Sequence, residues 1–104
     1  MSEYVCNMDE ITKVLLAQFP DEINDSNMYY DLACKAANQC QCDKNLSHGL
    51  YEISRDEYTH AKFIHDYLIQ HGHCMPEELK CKWEALQKRA EQVYPSVPKK
   101  PYHV

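Results

Sequence analysis

Glu57 and His60 stand three residues apart on the stripe Leu50, Ile53, Glu57, His60, Ile64, Tyr67, His71. On a helix that spacing turns a carboxylate and an imidazole to one side, about one turn apart. The stripe is mostly apolar, so it reads as a buried helical seam with two ionisable groups in its middle. Such groups are costly there unless something pairs with them or binds them. Glu-x-x-His is also the spacing by which one helix of a carboxylate-bridged di-iron bundle supplies two ligands. Carboxylates suit that chemistry as hard anions able to bridge two ions, and imidazole adds a neutral ligand. The plainer alternative is a buried Glu57–His60 pair with no metal, since such pairs occur although they stabilise little. The motif alone is weak, because it recurs by chance on solvated helices. Its place on an apolar seam strengthens it.

Glu22 is the candidate third partner. It lies on a second stripe: Met8, Thr12, Leu15, Phe19, Glu22, Ser26, Tyr29, Ala33, Ala36, Cys40. Small residues follow it, which lets another helix approach closely. If the two stripes belong to antiparallel helices joined near residues 40–45, Glu22 and Glu57 differ by about 6 Å along the axis, within side-chain reach.

The elements that would carry these groups follow from the pattern. Asn7 and Glu10 have the spacing of a capping box at the start of the first helix. The stripe keeps its phase through Pro20, which favours one long kinked helix over two short ones, despite a cost of ~3 kcal/mol for an internal proline. The polar run Gln39–Asn45 reads as the loop, with Asp43 or Asn45 capping the second helix. That helix runs to about His71 and is ~40 Å long, with Gly72 suited to the left-handed position after its end. Pro76, Glu77 and Glu78 open a third helix with the stripe Leu79, Trp83, Leu86, Ala90, Val93. Residues 95–104 form a proline-rich tail expected to be extended. The expectation is an all-α domain over residues 1–94, built on a long antiparallel hairpin plus a C-terminal helix.

Composition narrows the function. The 104 residues suffice for one domain with a modest core, and only 2 glycines argue against many tight turns. A net charge of −5, with no basic block beyond Lys99-Lys100, argues against binding through nucleic-acid phosphates. No stretch approaches the ~18 apolar residues of a membrane span. The start, Met1-Ser2-Glu3-Tyr4, does not read as a signal peptide, so a cytoplasmic location is expected. There the six cysteines would be thiols or metal ligands rather than a disulfide frame.

Ser54-Arg55-Asp56-Glu57-Tyr58-Thr59-His60-Ala61-Lys62-Phe63, followed by Leu68 and Gly72, resembles the di-iron helix of rubrerythrins and encapsulated ferritins, both of the ferritin-like superfamily. Glu22, with Tyr29, Leu32 and Ala33 after it, is similar to the preceding ligand helix. The resemblance covers about residues 8–72, with a slightly lengthened loop. It implies an iron-binding oxidase or peroxidase in which Glu22, Glu57 and His60 are metal ligands and Tyr29 is a nearby hydrogen-bond donor. The chain departs from rubrerythrins in having one Glu-x-x-His and no Cys-x-x-Cys rubredoxin module. Half a site per chain implies a homodimer, or a higher homo-oligomer, in which two chains together make a four-helix bundle holding a di-iron centre. The tail carries no evident docking sequence for an encapsulin shell.

Cys40-Gln41-Cys42 and His71-Gly72-His73-Cys74 invite a zinc reading, but they flank a helix too long for one chain to bring them together. Cys34 and Cys81 read as small packing residues, and His65, one step off the seam, as solvated. Two functions therefore compete. One is iron oxidation coupled to reduction of oxygen or peroxide. The other is a non-enzymatic self-associating helical module, either metal-free or with a Cys/His zinc site.

Overall fold

The computed structural model describes residues 2–39 and 44–94, and side chains from Glu10 onward within them. Three helices follow in order: α1 (Ser2–Ala37), α2 (Lys44–Gln70) and α3 (Glu77–Val93). Cys40, Cys42, Asp43 and the tail 95–104 lie outside the described residues, as does any cap or metal role expected of them. Among the described residues no helix is long and apolar enough to cross a membrane.

Helices α1 and α2 form the expected antiparallel hairpin. Ser47 meets Ala33, Ser54 meets Ser26 and His65 meets Phe19, so the partner on α1 recedes as α2 advances. The hairpin closes on small residues. Ser26 Oγ donates to the Ser54 carbonyl at 2.8 Å, and Ser54 Oγ donates to the Ser26 carbonyl at 2.8 Å. Both serines are fully buried, so neither would be tolerated there without these bonds. Because the Ser54 proton goes to Ser26, the Tyr94 hydroxyl, 2.5 Å from Ser54 Oγ, is the donor of that third bond.

Pro20 sits inside one continuous α1, as the unbroken phase predicted. Its neighbours explain why the helix survives. Phe19 and Ile23 are almost completely buried, in one cluster with Ala61, Ile64, Leu68, Trp83 and Leu86. Burying two such side chains contributes roughly 3–6 kcal/mol together, which matches or exceeds the ~3 kcal/mol the proline costs.

The third helix lies more loosely on the hairpin, through Trp83, Leu86 and Ala90, with Tyr94 just beyond its end. The Trp83 ring stacks on Tyr58 and His65 and tilts against Phe19. Between α2 and α3, Gly72 has φ of 78°. The Gly72 N–H donates to Ile69 O and the His73 N–H to Leu68 O, the paired bonds that close a helix on a left-handed glycine.

The ends of the helices correct three expectations. Asn7 and Glu10 lie within α1, which begins at Ser2, so they are not its capping box. Asn45 is already inside the first turn of α2 and cannot cap it. Pro76 is the residue before α3, with extended ψ of 146°, rather than part of its first turn; Glu77 and Glu78 do occupy that turn.

Candidate metal centre

The buried face of α2 is rotated from the expected seam. Its buried residues are Ser54, Ala61, Ile64 and Leu68, with Tyr58 and Tyr67 packed beside them. Ile53 and His71 are exposed. Glu57 and His60 therefore sit at the edge of the hairpin, not in the middle of its core. Ser54 and Ala61 are small and score weakly as apolar, whereas Leu50 and Ile53 score strongly, so the more hydrophobic stripe was not the one α1 and α3 cover. His65 is the complementary correction. It stacks on Trp83 with ring centroids 4.9 Å apart, and only 24% of its side chain is exposed.

At that edge Glu22, Glu57 and His60 converge. One ligand atom from each lies within 4.8 Å of the others. His60 Nδ1 is 3.4 Å from Glu57 Oε1 and 3.7 Å from Glu22 Oε1. Both distances exceed the ~2.7–3.2 Å of an N–H···O bond, so the imidazole satisfies neither carboxylate. The Glu22 and Glu57 side chains are 18% and 22% exposed, whereas His60 is 57% exposed. Two carboxylates are thus largely withdrawn from water while the imidazole stands at the opening.

The electrostatics follow from that placement. The Glu22 carboxyl is pushed up to about 7. Burial is the main cause, followed by the contact and charge of the Glu57 carboxyl; Asp25 adds to the shift and His60 opposes it. Glu22 Oε1 is buried and has no hydrogen-bond donor. A carboxylate oxygen in that state lacks a positive partner, and a cation supplies one. The donor set of two carboxylates and one imidazole suits a divalent transition metal rather than a soft thiolate-loving one. With bonds of ~2.1 Å, ligands on a single ion are at most about 4.2 Å apart. The cluster is slightly wider than one closed shell, and its residues fit a metal after a small contraction.

Two helices are needed to build this group. The i,i+3 spacing on α2 sets Glu57 and His60 one turn apart, and the antiparallel register brings Glu22 opposite them. Tyr29 is half-buried on the Glu22 face of α1, but about 10 Å further along the axis. Among the described residues no other group of three His, Cys, Asp or Glu side chains gathers in this way. Cys34, Cys74 and Cys81 are exposed thiols, so Cys34 and Cys81 are not the packing residues expected. His71 is exposed beside the Tyr67 ring, with Nδ1 2.8 Å from the Tyr67 carbonyl.

No protein-family model, curated protein or solved structure matches the chain. The helical hairpin and its Glu/Glu/His cluster stand on their own geometry.

Proposed function

We propose that Glu22, Glu57 and His60 bind iron, and that two copies of the chain bring their clusters together to hold a di-iron centre. The observation that carries this reading is the buried, donorless Glu22 Oε1 facing a second carboxylate and an imidazole. Three side chains are fewer than two metal ions need, whereas two copies offer four carboxylates and two histidines. The edge that bears the cluster also bears exposed apolar side chains. On α2, Ile53 lies a heptad before His60, and on α1, Ile11 shares the Glu22 face while Leu32 flanks it. A second hairpin laid antiparallel on this edge would cover them and complete a four-helix bundle.

Within such a pair the chain's residues have distinct tasks. Glu22 and Glu57 carry the negative charge that neutralises the cations, and Glu22 must shed the proton that burial and the neighbouring Glu57 carboxyl retain. His60, at the opening, is the terminal neutral ligand. Tyr29, half-buried on the same face of α1, stands about 10 Å along the axis from Glu22 and so outside the shared centre. Bound iron would supply the redox step, two ferrous ions giving one electron each to oxygen or peroxide.

The test is anaerobic addition of ferrous iron to the purified chain, followed by air, with ferric absorbance recorded. About one iron per chain is expected, since two chains share two ions. Glu57→Ala and His60→Ala should abolish binding. Iron uptake unchanged by either substitution would refute the reading. A dimer that takes up no iron would leave a self-associating helical module, for which the same apolar edge suffices.

A further inference from the structure

A cationic feature stands apart from the Glu22–Glu57–His60 group and shares no residue with it. Arg89, on α3, rests its guanidinium over the Tyr30 ring of α1, with Cζ 4.4 Å from the ring centroid. On the guanidinium edge, Nε and Nη2 are both buried, and neither has an acceptor. No carboxylate among the described residues forms an ion pair with Arg89. A buried cationic donor without an acceptor is costly, and folded chains rarely leave one so.

The two unfilled nitrogens are informative as a pair. Nε and Nη2 form the side of the guanidinium that presents two parallel N–H groups. That side matches two oxygens of one carboxylate or phosphate. Water bridging to a single nitrogen would leave one of the pair unfilled. Tyr30 also lines a cavity of about 470 Å³ between the loop ends of α1 and α2 and the end of α3. Val93, one helical turn after Arg89, lines the same cavity, as do Lys44, Ser47 and His48. Tyr30 thus belongs both to the cavity wall and to the contact with Arg89. Arginine side chains turn about several soft torsions, so a ligand in the cavity can draw the paired N–H groups toward itself.

We propose that Arg89 is the anchor of a binding site for a small oxyanion, a carboxylate or a phosphate, entering through the cavity bordered by Tyr30, Lys44 and His48. The two N–H groups of the guanidinium edge take two oxygens of the anion.

Titration calorimetry on the full chain without added metal tests this, with inorganic phosphate in one arm and acetate in the other, at constant ionic strength set with chloride. Saturable binding of either anion is expected, weakened at least tenfold in Arg89→Met, which keeps the stem and removes the donors. Arg89→Lys, which keeps the charge but not the paired edge, should also bind more weakly than the native chain. Binding of phosphate alone assigns a tetrahedral anion, and binding of acetate a carboxylate. Absence of saturable binding by both anions, or equal binding by Arg89→Lys and the native chain, would overturn the proposal. Should Arg89→Met fail to fold, the lysine variant decides alone.

Discussion

The two long sides of the α1–α2 hairpin handle polar groups in opposite ways. On the side covered by α3, each hydroxyl of the Ser26–Ser54–Tyr94 group has a partner, and the rings of Phe19, Tyr58, His65 and Trp83 pack against one another. At the cluster's edge, a buried carboxylate oxygen has no donor, two carboxyl groups crowd together, and Ile11, Leu32 and Ile53 face outward. The Ser26–Ser54–Tyr94 hydroxyl group is satisfied within one chain. The cluster's edge is where the proposed cation and second hairpin would bind.

Substitutions separate the sides by the size and kind of their effects. The largest loss should come from Trp83→Ala, because the ring is 2% exposed and touches all three helices through Phe19, Tyr58 and its own backbone. About 3–5 kcal/mol of unfolding free energy should disappear in a urea titration. Ser54→Ala comes next. It strands the Tyr94 hydroxyl and removes the second bond to the Ser26 carbonyl, at a cost of about 1–3 kcal/mol by the same titration.

On the open side the effects change character. The Glu22 carboxyl has its folded value raised from 4.5 to about 7. Below the lower value both folded and unfolded chains hold the proton, and the clustering costs nothing. As pH rises, the unfolded chain releases its proton first, so stability falls until about pH 7 and then levels. Thermal melting of the metal-free chain should therefore give a higher Tm at pH 5 than at pH 7.5. Glu22→Gln should flatten that dependence and abolish iron binding together. A native-like pH profile in Glu22→Gln would separate the carboxyl cluster from the pH effect. The smallest folding effect belongs to Ile53→Ser, within roughly 0.5 kcal/mol for an exposed position. The same change should weaken self-association, measured by sedimentation, which no substitution on the covered side should do without also lowering stability.

Which parts of this were legible in the sequence follows from what each side needs. The run of α1 through Pro20 showed because Phe19, Ser26, Ala33 and Ala36 keep their phase on both sides of the proline. The left-handed Gly72 was legible from glycine at the helix end. The Glu22–Glu57–His60 convergence was legible too, since an i,i+3 pair and an antiparallel register are fixed by helix geometry alone. The rotation of α2 was not. Its core face joins Ile64 and Leu68 to Ser54, Ala61, Tyr58 and His65, and these last four are residues that hydrophobic periodicity underrates, packed against Ser26, Trp83 and Tyr94 far along the chain. Arg89 left no signal, because a lone arginine on α3 is unremarkable until Tyr30 is placed beneath it.

Sedimentation of the chain with and without ferrous iron under anaerobic conditions, with iron counted in each boundary, tests the half-site most directly. Iron should travel only with a species of at least twice the 12.2 kDa chain mass, in a ratio of about one ion per chain. Iron held tightly by a 12.2 kDa monomer would show that Glu22, Glu57 and His60 need no second copy, and would contradict the shared centre.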